Sequence, residues 1–182
     1  MKLLIASLLS LVLFQTNIQV LHWNPKRKHV WSDFRGSVAS GSYRSAYSSV
    51  GFAINADLIS DTLYFKCITC FNCTASWYKK SEATPDLLNH ENLHFDISEA
   101  YARSLKKMVK ETPLTKSDYK EKIDKMIQFM KSETASYQKL YDRETDYSLN
   151  QQQQQKWNHR IFTELLSLKN YSDTVVKIII KK

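Results

Sequence analysis

The chain predicts an α+β fold, with antiparallel strands in its N-terminal part followed by three helices. Two observations carry this. Apolar residues recur every second position up to about Phe71 and at helical steps of three and four from Thr84 onward, and strands first, helices second is the order of an α+β domain. With 182 residues, 43% of them hydrophobic, and only three Gly and three Pro, the chain can bury a sizeable core and is neither linker-like nor disordered in composition.

Residues 1–20 read as a signal peptide. Lys2 precedes an apolar run from Leu3 to Phe14, the length of a secretory h-region and too short for a membrane span. Residues 21–182 are then a single domain, secreted or periplasmic and without stable membrane insertion once the signal is removed. From Trp23 to about Phe71 two or more antiparallel strands are expected, because Ala46, Ser48, Val50, Phe52 and Ile54 alternate with mostly polar or small neighbours. Asp61 to Phe71 is rich in β-branched and aromatic residues.

Thr84 as N-cap, Pro85 at the first helical position and Asp86 in the first turn open a helix. Its stripe runs Leu87, His90, His94, Ile97, Tyr101, Leu105, Met108, and it ends before Pro113. A second helix spans about Ser117 to Leu140, with Tyr119, Ile123, Met126, Ile127, Met130 and Tyr137 at helical spacing. A third starts at about Asn150, with Trp157, Ile161, Leu165 and Leu168 on one side. The β-branched tail Thr174 to Ile180 predicts a last strand.

Charge and cysteine usage narrow the function. The formal net charge is +8, but the lysines are spread along the chain and intermixed with acids. The densest cluster is Lys26, Arg27 and Lys28, without any nucleic-acid-reading motif, so no nucleic-acid partner is expected. Cys67, Cys70 and Cys73 lack a fourth ligand at comparable spacing, which argues against a zinc ribbon and for one disulfide plus a free thiol. Residues three apart on a strand point to opposite faces about 10 Å apart, so such a bond needs a turn near Cys70 to Thr74.

One motif carries chemistry. His90-Glu91-Asn92-Leu93-His94 is H-E-x-x-H. On a helix, residues i and i+4 lie one turn apart on the same face, so both imidazoles can hold one zinc ion. Glu91 lies about 100° around the axis, placed to act as general base on a zinc-activated water attacking a peptide carbonyl. With five His and eight Glu in the chain, the pattern would arise by chance roughly 0.006 times, which favours a metal site over two ordinary core histidines.

The stretch from Leu88 to Glu99 resembles the H-E-x-x-H-F-D-I segment of the DUF922 family, predicted secreted zinc-dependent proteases of bacteria. Three further stretches agree. Trp31-Ser32-Asp33-Phe34-Arg35-Gly36 looks like the family's W-x-D-F-[KR]-G opening, and Ser76-Trp77 like its S-W step. Tyr141-Asp142-Arg143-Glu144-Thr145 with Trp157 looks like its Y-D-x-x-T…Q-x-x-W close, which Gln154 fits better than Gln155. The resemblance covers about residues 23 to 165 and implies a zincin-like fold and peptide-bond hydrolysis, with a peptide or protein as substrate.

Catalytic zinc generally takes three protein ligands and leaves one position open. The family's close continues as T-x-H-[GS], whereas this chain has Thr145-Asp146-Tyr147-Ser148. Tyr147 therefore stands as the expected third ligand beside His90 and His94, with Asp142, Glu144 and Asp146 as the carboxylate alternatives. Asp96 and Glu99 are candidates to orient a ligating imidazole. His22, His29 and His159 are candidates only if the fold brings them near. Two functions follow: a zinc-dependent peptidase with Glu91 as base, or a non-catalytic exported module on the same scaffold that binds extended peptides and has lost its third ligand.

Overall fold

The computed structural model describes residues 19–180, so most of the expected signal segment lies outside the described residues. The architecture is α+β, with six strands and three long helices among the described residues. The central strand is β4 (Thr62–Asn72), which pairs antiparallel along its whole length with β3 (Val50–Ile59). The other edge of β4 is shared by β1 (Val20–His22) at its end and β6 (Val175–Ile179) at its start. A separate two-stranded ribbon pairs β2 (Ala46–Tyr47) with β5 (Trp77–Tyr78). The expected tail strand is β6.

The alternation expected to continue from Ala46 to Ile54 is interrupted at Ser48 and Ser49. There the chain leaves the ribbon for the main sheet, and the Ser49 amide donates to Ser76 Oγ at 2.9 Å. On β4 the alternation holds: Leu63, Phe65, Cys67, Thr69 and Phe71 are all buried. The first three of these join a core completed by Ala102, Leu105 and Val109 of α1 (Pro85–Glu111) and by Val176 of β6.

Helix α1 begins as expected, with Thr84 Oγ1 accepting the Leu87 amide at 3.1 Å and Pro85 in first place. A one-sided stripe does not describe it, however: every residue from His90 to Ala100 is buried. It packs against β4, against α2 (Tyr119–Glu144) and against α3 (Gln151–Ser167), and its buried polar side chains are accordingly partnered. Asn92 bonds the backbone of His29 in both directions. Glu99 accepts from Thr69 Oγ1 at 2.7 Å and from Arg103 Nε at 2.8 Å.

Helix α2 runs one turn further than the sequence predicts, to Glu144 rather than about Leu140. Residues 141–144 are therefore helical and not a connecting turn. After them Asp146, Tyr147 and Ser148 all adopt positive φ (47°, 50° and 83°), a left-handed stretch that reverses the chain into α3. The W-x-D-F-[KR]-G segment lies against the turn after β4: Arg35 N donates to Cys73 O and Gly36 N to Ser76 O at 2.7 Å. A Cβ on Gly36 would come within 2.8 Å of that Ser76 carbonyl oxygen, so only glycine fits there. The expected disulfide is not formed: Cys67, Cys70 and Cys73 are free. Burial pushes the Cys67 thiol up to about 12, the behaviour of an inert core thiol.

Candidate metal centre

His90 and His94 stand one turn apart on α1, as the motif requires, and their Nε2 atoms approach to 3.2 Å. With Glu91 they form a buried group able to hold a metal ion. The third atom at this point is Asp142 Oδ1, from the last turn of α2, 3.3 Å from His90 Nε2 and 2.9 Å from His94 Nε2.

The neighbours of the two rings decide which nitrogen carries the proton. Gln138 Nε2 donates to the His94 carbonyl at 2.9 Å and to Ser98 Oγ at 3.1 Å, which turns Gln138 Oε1 toward His94 Nδ1. Gln154 Nε2 donates to Asn158 Oδ1 at 2.9 Å, which leaves Gln154 Oε1 to accept from His90 Nδ1 at 3.1 Å and from Tyr141 Oη at 2.9 Å. Both imidazoles therefore hold their proton on Nδ1 and aim a bare Nε2 at the same point. Asp142 Oδ1 is buried and receives no hydrogen bond among the described residues. Three acceptors converging in a buried site repel one another unless a cation lies among them.

A proton competes with a metal cation for this point, since both shifts favour a charged imidazole against the carboxylate. Burial alone would lower the pKa of His94, but the Asp142 carboxylate against its ring and the charge of Glu91 outweigh it and raise the value. Burial alone would raise Asp142, but the two imidazoles hold it well below the usual carboxylate range. Arg44 Nη1 also stands 3.4 Å from Asp142 Oδ2. The centre is built to keep a negative oxygen facing two nitrogens.

Glu91 is buried beside this point, and its Oε2 accepts from Ser48 Oγ at 2.6 Å. A cavity of about 20 Å3, lined by His90, Glu91, Asp142, Arg44 and Tyr147 among others, is large enough for a water molecule.

Of the expected site residues, His90, Glu91 and His94 come together, whereas Tyr147 does not join the imidazole pair. It lines the cavity, but its side chain is 43% exposed, edge-on to Tyr43 at 6.1 Å and beneath the Arg44 guanidinium. The left-handed stretch after α2 turns it outward, and the oxygen at the nitrogens belongs to Asp142. Glu144 instead accepts from Trp157 Nε1 at 2.9 Å. Asp96 and Glu99 orient neither ring: Asp96 bonds Trp23 Nε1 and Lys28. His22 and His159 are exposed, and His29 is stacked on Phe71 at 4.0 Å.

Two positioning residues, Gln138 and Ser48, escaped the sequence reading. For Gln138 a signal existed, since it lies four residues before Asp142 on one helix face.

Residues 72–158 match the DUF922 family model, described as a bacterial protein of unknown function. That stretch contains both imidazoles, Glu91, Gln138, Asp142 and Gln154, so the DUF922 match spans the whole centre except Ser48 and Arg44. No curated protein and no solved structure matches the chain. No helix among the described residues is long and apolar enough to cross a membrane.

Proposed function

We propose that the protein is an exported, zinc-dependent peptidase of zincin-like design, in which His90, His94 and Asp142 hold the metal and Glu91 is the general base. The observation that carries this reading is the convergence of three proton-free donors on one buried point. Tetrahedral zinc bound at about 2.0–2.1 Å spaces its ligand atoms about 3.3 Å apart. The observed separations are 3.2, 3.3 and 2.9 Å. Bound there, zinc would acidify a water and polarise a carbonyl.

The remaining roles fall to the chain. Ser48 fixes one carboxylate oxygen of Glu91, leaving the other to take the proton of an attacking water and pass it to the leaving amine. Gln138 and Gln154 hold the two rings in the ligating tautomer. The outer edge of β3 has no strand partner among the described residues. Between that edge and α2 runs a groove lined by Val50, Gly51, Phe52, Thr134 and Gln138. An extended peptide adding to this edge would lie beside the Gln138–His94 pair, which supports a peptidic substrate. The non-catalytic alternative rests on a missing third ligand, and the position of Asp142 against both rings supports the peptidase reading instead.

The test is cleavage of an unfolded protein such as reduced casein by the zinc-supplied chain and by Glu91→Ala. The wild type should cleave and carry about one zinc, while Glu91→Ala should keep the zinc and lose cleavage. Zinc binding without cleavage in both would return the binding-module reading, and equal cleavage in both would overturn the assignment of the base.

A further inference from the structure

We propose that the cavity between the Trp23–Lys28 segment, α1 and α3 binds a small amphiphilic carboxylate, a single hydrocarbon chain with an anionic head. This site lies on a different face of α1 from the metal centre and does not rest on the peptidase reading. Its volume is about 580 Å3, within the range of pockets that enclose drug-sized ligands.

The lining is amphipathic. Trp23, Leu93, Phe162, Leu165 and Leu166 supply its apolar wall. Phe162 and Leu166 are 64% and 56% exposed, apolar area that a hydrocarbon chain would cover. The polar part of the lining holds three cations, Lys28, Arg103 and Lys169, and a single carboxylate, Asp96. That carboxylate is paired with Lys28 and with the indole N–H of Trp23, and Arg103 is paired with Glu99 behind the lining, so Lys169 is the cation of the three left without a carboxylate among the described residues.

Arg103 is 6% exposed and gives Nε to Glu99 and Nη1 to the Leu165 carbonyl. Its Nη2 has no acceptor among the described residues, and its guanidinium is fixed 5.0 Å from the centre of the Trp23 ring. Lys169 pairs with no carboxylate among the described residues. An anionic head would find a preorganised guanidinium donor and a mobile ammonium at one site, with the chain lying along α3. The recess is formed by three segments instead of one flat face, which suits a small ligand better than a protein surface.

The test is isothermal titration of the full folded chain with dodecanoate, and in parallel with 1-dodecanol and dodecyltrimethylammonium, all below their aggregation limits. Saturable binding of one dodecanoate is expected, with both other head groups about tenfold weaker or worse. Phe162→Glu and Leu166→Glu, at exposed positions and with their fold checked by circular dichroism, should abolish it, and Lys169→Gln should weaken it about tenfold. Absence of saturable binding, equal affinity for all three head groups, or binding unchanged in the variants would each overturn the proposal. So would a wild-type dimer that Phe162→Glu splits and dodecanoate does not, because a second copy would then occupy the recess.

Discussion

Gln138 grips His94 twice: its amide nitrogen donates to the His94 carbonyl at 2.9 Å while its amide oxygen faces Nδ1 of the ring. One side chain of α2 thereby fixes the backbone, the rotamer and the tautomer of a histidine of the candidate metal centre on α1. Replacing it with Leu removes both bonds and lets the ring carry its proton on either nitrogen. Gln138→Leu should bind zinc about 10–100-fold more weakly, measured by competition with a chromogenic chelator. Unchanged affinity would mean that packing of α1 alone orients His94.

Asp142 and Tyr147 make opposite predictions. Asp142→Asn replaces the buried anion facing two bare nitrogens with a neutral amide, and should reduce zinc content from about one per chain to near zero. Tyr147→Phe removes only a half-exposed phenol hydroxyl and should leave zinc content unchanged. Elemental analysis of the two purified variants decides it, and loss of zinc in Tyr147→Phe would reinstate the phenol as a ligand.

That contrast marks where sequence reading stops. The His90–His94 pair was legible because both residues lie within one helical turn, and the helix start because Thr84 and Pro85 signal it locally. The proposed third ligand comes from another helix, 48 residues beyond His94, and nothing local distinguishes Asp142 from Glu144 or Asp146. Only the extra turn of α2 and the left-handed Asp146–Ser148 stretch turn Asp142 inward and Tyr147 outward. The ribbon of β2 and β5 was hidden for a similar reason. Alternation continues across Ser48 and Ser49, and long-range pairing, not periodicity, breaks the strand there.

His29 should make the fold sensitive to acid. It is 3% exposed between Phe71 and Phe95, its ring nitrogens have no partner among the described residues closer than the Asp33 carboxylate 3.5 Å from Nδ1, and burial lowers its pKa below 6.5 against the raising influence of Asp33. Arg27 also lowers it, and Asp96 acts with Asp33. A histidine with a depressed folded pKa contributes full stability above its unfolded value and loses it as pH falls below about 6.5 toward the folded value. In chelator, the melting temperature of the wild type should fall relative to that of His29→Phe between pH 7.5 and 5. Parallel curves would show that His29 does not titrate in this range.

Gly36 tests the packing of the opening motif independently of the metal. An added Cβ would meet the Ser76 and Thr74 carbonyl oxygens at 2.8 and 2.9 Å, both backbone atoms that cannot swing away. Gly36→Ala should cost about 1–3 kcal/mol and lower the melting temperature by roughly 2–12 °C, with zinc stoichiometry retained. A melting temperature within a degree of wild type would mean that the turn at Asn72–Ser76 yields freely.

Ser48 and Glu91 separate positioning from proton transfer. Glu91→Gln keeps the shape of the side chain and its bond to Ser48 but cannot accept a proton, so kcat should fall about 10²–10⁴-fold with zinc content unchanged. Ser48→Ala leaves the carboxylate but frees it to rotate, since the 2.6 Å bond from Ser48 Oγ is the hydrogen bond its side chain receives among the described residues. A smaller loss is expected, about 10–100-fold in kcat with little change in KM. Ser48→Thr, which restores a hydroxyl on the same carbon, should recover most of it. A purely structural role for Ser48 would instead appear as a lowered melting temperature with kcat intact. If Glu91→Gln and Ser48→Ala lost activity equally and Ser48→Thr rescued nothing, the serine would have to act on the substrate directly and not through the glutamate.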